Sequence, residues 1–274
     1  MILLVASQKD LAGLNIKAQI LKNYPFHETC DVFQQNPTYT ADYEGKKVTL
    51  ITLNQESVTA QTLPKDFPEA ELIVFISRHS SQSGTPTLTV HTPGNFAEAE
   101  LGGLSRIVSV SPAVAMLDAL KTLSYYKERF SLNYEVSYEC THHGPSLNVP
   151  SMFVELGSCE EQWVDSLAAE AVAHAAISAI ANFNLSASFA VLGIGGTHYN
   201  GKFTRLALEG KAAFSHMIPK YAIANLDSET LSQCVNKTLE KVNYALLDWK
   251  GIRSQDKPKL LYALSAIDLE YQKV

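Results

Sequence analysis

Apolar residues recur along this chain in short consecutive runs separated by longer stretches with helical spacing. Seven runs read as strands: Ile2–Ala6, Val48–Leu53, Leu72–Ser77, Tyr134–Cys140, Met152–Leu156, Phe189–Ile194 and Phe214–Ile218. Several are apolar at successive rather than alternate positions, which predicts burial on both faces. Three helices are expected between and after them. One spans Pro112–Phe130, with Ser111 as N-cap and Pro112 at the first helical position. A second, alanine-rich, spans Glu160–Phe183, where Ser158 and Glu161 have capping-box spacing. The third runs from about Glu229 to Trp249. The alternation predicts an α/β fold, a three-layer α/β/α sandwich with helices on both sides of one mixed central sheet. Residues 24–45 are poorly periodic and read either as a long loop or as a small excursion. No repeat or low-complexity block divides the chain, so residues 1–274 are expected to form a single α/β domain with loop embellishments.

Composition narrows the class. With 46% hydrophobic and 18% charged residues, the 274-residue chain can build a sizeable core, which excludes global disorder. No apolar run approaches the roughly 18–20 residues of a membrane span. Met1–Ala6 has no basic leader before it and reads as a first core strand rather than a signal peptide. The four cysteines are widely spaced with no CxxC pair, so neither a disulfide framework nor a thiolate zinc knuckle is expected, and the cytoplasm is the default location. A net charge of -6 means that any polyanion must meet a local basic patch.

The histidines carry the candidate chemistry. Six of the eight fall in Gly/Pro/Ser/Thr-rich segments at or just after strand runs: His79, His91, His142, His143, His198 and His216. In open α/β sheets the strand ends gather in a crevice where ligands bind. Imidazole can ligate a metal, move a proton near neutral pH or hydrogen-bond a phosphate. A histidine and carboxylate set without thiolates suits a catalytic zinc that keeps a position for water. In a regular strand the adjacent His142 and His143 point apart, so one would ligate and the other orient, or the two would serve different ions. Glu155 is the best-placed carboxylate; its alternative is a buried pair with an arginine such as Arg78. His27 and His174 read as structural.

Other signals compete. Gly196–Lys202 fits GxxxxGK after a strand, but Phe203 stands where a P-loop needs Ser or Thr, so an NTPase is disfavoured while a phosphate-cradling loop stays open. GxSxG, HExxH and a full GxGxxG are absent. Lys202, Arg205, Lys211 and Lys220 face only Glu209 in their segment, and Lys250, Arg253, Lys257 and Lys259 face only Asp256. Either group reads as phosphate contacts or as ordinary solvated charge.

Five segments taken together carry a family resemblance: Ser77-Arg-His-Ser-Ser81, His91-Thr-Pro-Gly-Asn95, Thr141-His-His-Gly-Pro-Ser146, Gly193-Ile-Gly-Gly-Thr-His-Tyr199 and His216-Met-Ile-Pro-Lys-Tyr-Ala222. In order and over most of the chain, they resemble the archaeal and plant type of D-aminoacyl-tRNA deacylase. The resemblance implies a phosphorylase/hydrolase-like fold and hydrolysis of the ester joining a D-amino acid to the 3′-terminal ribose of tRNA. It also implies zinc as cofactor, two ions per chain, and a monomer.

Site residues are assigned from chemistry and motif position. His79, His142, His143 and Glu155 form the expected metal-ligand and acid/base set. His91 and His198 are expected to support the ligands or touch substrate. Gly193, Gly195 and Gly196 would admit adenosine or phosphate, with His216, Lys202, Arg205 and Lys220 also on the substrate side. Two other functions fit the same residues: a zinc aminopeptidase or amidohydrolase on small D-amino-acid compounds, and a non-catalytic RNA- or nucleotide-binding protein.

Overall fold

The computed structural model describes residues 1–43, 45–183 and 189–274. In chain order its elements are β1 (Ile2–Ser7), α1 (Leu11–Asn23), β2 (His27–Phe33), β3 (Asn36–Tyr43), β4 (Lys46–Leu53), α2 (Leu63–Asp66), β5 (Leu72–Arg78) and β6 (Thr87–His91). They continue with α3 (Ala113–Arg129), β7 (Glu135–Tyr138), β8 (Ser151–Gly157), α4 (Glu160–Trp163), α5 (Ser166–Ala181), β9 (Phe189–Ile194) and α6 (Gly201–Leu208). The last are β10 (Phe214–Ile218), α7 (Ser228–Asn236), β11 (Lys241–Leu247), α8 (Lys257–Ala266) and β12 (Tyr271–Lys273).

Eight strands form the mixed central sheet expected from the sequence, in the order β2-β3-β4-β1-β5-β8-β6-β7. β1, β5 and β8 are buried along almost their whole length, as their consecutive apolar runs require. Period-2 alternation sorts their side chains. Leu4, Val74, Ile76, Val90 and Val154 belong to the large core under α1, α3 and α5, whereas Leu3, Val5, Ile73, Phe75 and Phe153 belong to a smaller core on the other face. The small alanines of α5 let it pack closely against both α1 and α3.

The expected single sheet is accompanied by a second one. Strands β10-β9-β11-β12 form a parallel sheet of their own with a separate core. Part of the expected third helix belongs to it: the helix stops at Asn236, and Lys241–Leu247 is a strand. Helical and strand patterns share positions in Val242–Leu247, and the neighbouring β9 decides the outcome by offering an open parallel edge.

Two capping expectations also fail. Ser111 does not cap α3; its hydroxyl is buried without a partner, and the Glu240 carboxylate accepts from the Ala113 and Val114 backbone N–H groups, each at 2.9 Å. The expected Glu160–Phe183 helix is broken: α4 ends after one turn, with Cys159 and Gln162 rather than Ser158 and Glu161 forming the capping box. Asp165 then starts α5 by accepting from Leu167 and Ala168 N–H. The aperiodic 24–45 stretch contains an antiparallel ribbon, β2 with β3; β2 is largely exposed, and β3 buries only the polar or small Asn36, Thr38 and Ala41.

Candidate functional site

β6 and β7 run parallel to one another but antiparallel to β8, which is itself parallel to β5. The strand ends therefore do not collect in one crevice; the histidines meet over a face of the sheet. Register shows how. Glu155 sits opposite Ser77 on β5 and Thr89 on β6, and Thr89 sits opposite Ser137 on β7. Two residues beyond Ser77, Thr89 and Ser137 along their own strands come His79, His91 and Glu139, which fall on the same face by alternation. Loops add the rest: His142 and His143 follow β7, and His198 follows β9.

Distances confirm one assembly. Glu139 Oε2 lies 2.9 Å from His198 Nε2 and 3.6 Å from His142 Nε2, while its Oε1 lies 3.1 Å from His79 Nδ1. That last contact is close but poorly aligned, since Glu139 Oε1 accepts no well-directed hydrogen bond. Glu155 Oε2 stands 3.6 Å from His79 Nδ1 and 3.9 Å from His91 Nδ1, and its Oε1 accepts from the Ser77 hydroxyl at 2.5 Å. The alternative partner for Glu155 is engaged elsewhere: Arg78 pairs with Glu56 at 3.0 Å. His79 also meets the Tyr199 hydroxyl through Nε2.

The backbone fixes two tautomers. A carbonyl can only accept, so Nδ1 of His142 donates to Cys140 O (2.8 Å) and Nδ1 of His143 donates to Gly144 O (2.7 Å). Both Nε2 atoms then carry free lone pairs. Because His143 Nε2 is an acceptor, His91 Nε2, 3.3 Å away, donates to it, and His91 Nδ1 is left buried without a hydrogen-bond partner. The expectation that neighbouring His142 and His143 point apart assumed a regular strand. His143 instead has φ +43°, which folds its ring back to 4.2 Å from that of His142. This left-handed conformation costs about 1 kcal/mol or more in a non-glycine residue, and hydrogen bonds from Gly94 N to both histidine carbonyls help to hold it.

Burial sets the charges. It drives His91 and His142 well below the usual histidine range and His143 down to about 4, so all three are neutral. Burial would also lower His79, but Glu139 and Glu155 outweigh it and raise the group to about 11. Glu155 is pushed up to about 7 by burial, and Glu139 is held well below the carboxylate range because His198 and His79 overcome its desolvation.

Three groups could each hold a metal ion, with ligand atoms within 4.8 Å of one another: His91, His142 and His143; Glu139, His142 and His198; and His79, Glu139 and Glu155. The donor set fits a hard-to-borderline cation such as zinc: neutral imidazoles with tautomers fixed from behind, carboxylates, and orphaned atoms on His91 and Glu139. A cavity of about 470 Å³, bounded by Glu56, Arg78, Leu101 and Phe153, opens onto these residues. A second, of about 280 Å³, also borders His142 and His143, beside Phe96, Leu101 and Tyr221.

Sequence reasoning missed Glu139. Its signal was available, because it stands two residues after Ser137 on one face of a strand and three before His142. Other expected residues lie off the cluster. His216 is buried against Lys237 O and the Thr141 hydroxyl. Lys202 Nζ is 2.5 Å from Asp248, and Arg205 is 3.9 Å from Glu209. Lys220 donates its backbone N–H to Gly196 O. The space beside the three glycines is filled by protein: Phe203 at Gly193, Asp248 and Ile252 at Gly195, Asn200 and Asp248 at Gly196. The structural reading of His174 is met by its 2.5 Å contact with the Tyr24 hydroxyl.

Fold and site together define an α/β protein with a buried histidine–carboxylate centre beside two cavities. Residues 66–272 match the family model described as D-aminoacyl-tRNA deacylase. Over 97% of both chains, the protein is 36% identical to the D-aminoacyl-tRNA deacylase of Thermococcus kodakarensis, and over 98% it is 35% identical to that of Pyrococcus abyssi. A crystallised conserved protein of unknown function superposes with a TM-score of 0.88 at 32% identity, covering 100% of this chain and 95% of the other. The chain belongs to the D-aminoacyl-tRNA deacylase family, a family of enzymes. Among the described residues no helix is long and apolar enough to cross a membrane.

Proposed function

We propose that this protein hydrolyses the ester between a D-amino acid and the 3′-terminal ribose of tRNA, with zinc, two ions per chain, as cofactor. The observation that carries this reading is the convergence of five histidines and two glutamates from β5, β6, β7, β8 and two loops on one buried centre open to a cavity. His142 and His143 would hold metal, together with His91, His198 and Glu139; His79 and Glu155 complete the ligand and acid/base set. Bound zinc supplies Lewis acidity toward the ester carbonyl and a water acidified from 15.7 toward ~7. The protein's own groups do the remaining work. Cys140 O and Gly144 O keep the Nε2 lone pairs of His142 and His143 directed inward. His79, hydrogen-bonded to Tyr199 and beside both glutamates, would hold a proton and deliver it toward the departing ribose oxygen. The two cavities bordering His142 and His143 would provide room for the aminoacyl and nucleoside halves of the ester.

The test is chelator-treated against zinc-restored protein, assayed on a D-aminoacyl-tRNA beside its L counterpart. Restored hydrolysis confined to the D substrate is expected. Full activity of verified metal-free protein would remove zinc, and hydrolysis of a D-amino-acid amide in preference to the tRNA ester would favour an amidohydrolase.

A further inference from the structure

Cations near the site fall into two kinds. Three of those near the glycine loop are already neutralised: Lys202 pairs with Asp248 at 2.5 Å, and Arg205 and Lys211 share Glu209 at 3.9 and 2.6 Å. Others, among them Lys220, Lys250, Arg253, Lys257 and Lys273, have no carboxylate partner within ion-pair distance among the described residues. Two of them meet at Trp249, and Lys250 and Arg253 follow it within four residues of chain. Lys257 Nζ lies 4.4 Å and Lys273 Nζ 4.0 Å from the indole centroid. A cation–π contact positions an ammonium without cancelling its charge, unlike the carboxylate pairs on the neighbouring helix. Two like charges at one ring repel each other, a cost that a bound polyanion relieves.

This face adjoins the histidine centre. Asp248, one residue before Trp249, donates its N–H to Ile194 O at the end of β9, and its carboxylate packs on Gly196. His198 follows Gly196 by two residues, at most about 7 Å of extended chain. This rim is thus within reach of the phosphates next to a 3′ end seated at His198.

We propose that the Trp249 face, with Lys250, Arg253, Lys257 and Lys273, receives the phosphate backbone of the RNA whose terminal ester enters the histidine centre. The proposal rests on the deacylase reading for its substrate. Its test uses two esters of one amino acid: D-tyrosyl-tRNA, and D-tyrosyl-adenosine, which lacks the phosphates. The triple variant Lys250→Glu, Arg253→Glu, Lys273→Glu should raise KM for the tRNA ester about tenfold or more. It should also reduce the log–log salt slope by about 2–3, at roughly 0.7–0.9 per lost phosphate contact. Its kcat/KM for the adenosine ester should stay within about twofold, which also shows that the variant folds. Trp249→Leu, which keeps the charges but releases the two lysines, should raise KM for the tRNA ester alone by about threefold. An unchanged KM and salt slope in the triple variant overturns the proposal, as does an equal loss on both esters. Should the wild-type protein hydrolyse neither ester, the deacylase reading fails by itself. Binding of deacylated tRNA then decides this face, with unweakened binding in the triple variant overturning it.

Discussion

The residue with most influence on the centre is Glu139, fully buried and in reach of three imidazoles. Glu139→Gln keeps its size but removes the charge that balances His79. Activity should fall about 100-fold or more, with reduced bound metal by elemental analysis; wild-type kcat and metal content would place Glu139 outside the centre. His142→Ala and His143→Ala should each abolish hydrolysis while circular dichroism stays near native. His216 supplies a pH prediction of its own, since its partners are Lys237 O and the Thr141 hydroxyl. Burial lowers it to about 4, against about 6.5 in an unfolded chain. Above 6.5 both states are neutral. Between 6.5 and 4 the unfolded chain takes up a proton that the folded protein refuses, so stability falls as pH drops, by roughly 3 kcal/mol across the window. Denaturation of His216→Gln at pH 7 and pH 4.5 should show a shallower loss than the wild type; identical slopes would exclude His216 as a source.

At the scale of elements, caps come from unexpected places because a partner distant in sequence can supply them. Glu240, just before β11, ties the start of α3 to the second sheet through two N–H groups. Glu240→Ala should cost about 1–2 kcal/mol, read as a lower denaturant midpoint at constant slope. No change would mean that solvent caps the helix equally well. The same contrast explains what the sequence could disclose. Consecutive apolar runs made β1, β5, β8, β9 and β10 legible, since two-sided burial leaves a composition that few other environments produce. β2 is illegible because it buries little, and β3 because the residues it buries, Asn36, Thr38 and Ala41, are polar or small. The stretch 237–247 was misread because its pattern fits a helix as well as a strand, and only the edge of β9 resolves the choice.

For the molecule as a whole, the histidine loops were readable from residue type and setting, and five of the six histidines do share a centre. Their meeting place was not readable, because it depends on β6 and β7 running against β8, a matter of strand direction that composition does not encode. Glu139 was lost with it: only the pairing of Thr89 with Ser137 brings that strand face over Glu155. The surroundings of the glycines and Lys202 were unreadable for a related reason. Their spacing fits a phosphate loop, and the second sheet brings Asp248 onto Gly195, Gly196 and Lys202.

The alternation that builds the centre also makes it sensitive to spelling. Val154 and Leu156, on either side of Glu155, point into the helical core. Deleting one residue at the entrance to β8 could therefore preserve every ligand in the gene and still present a hydrocarbon where the carboxylate belongs. Chemistry in this protein is written in a reading frame of two, enforced by hydrogen bonds between strands, and lineages can lengthen its loops far more freely than they can shift that frame.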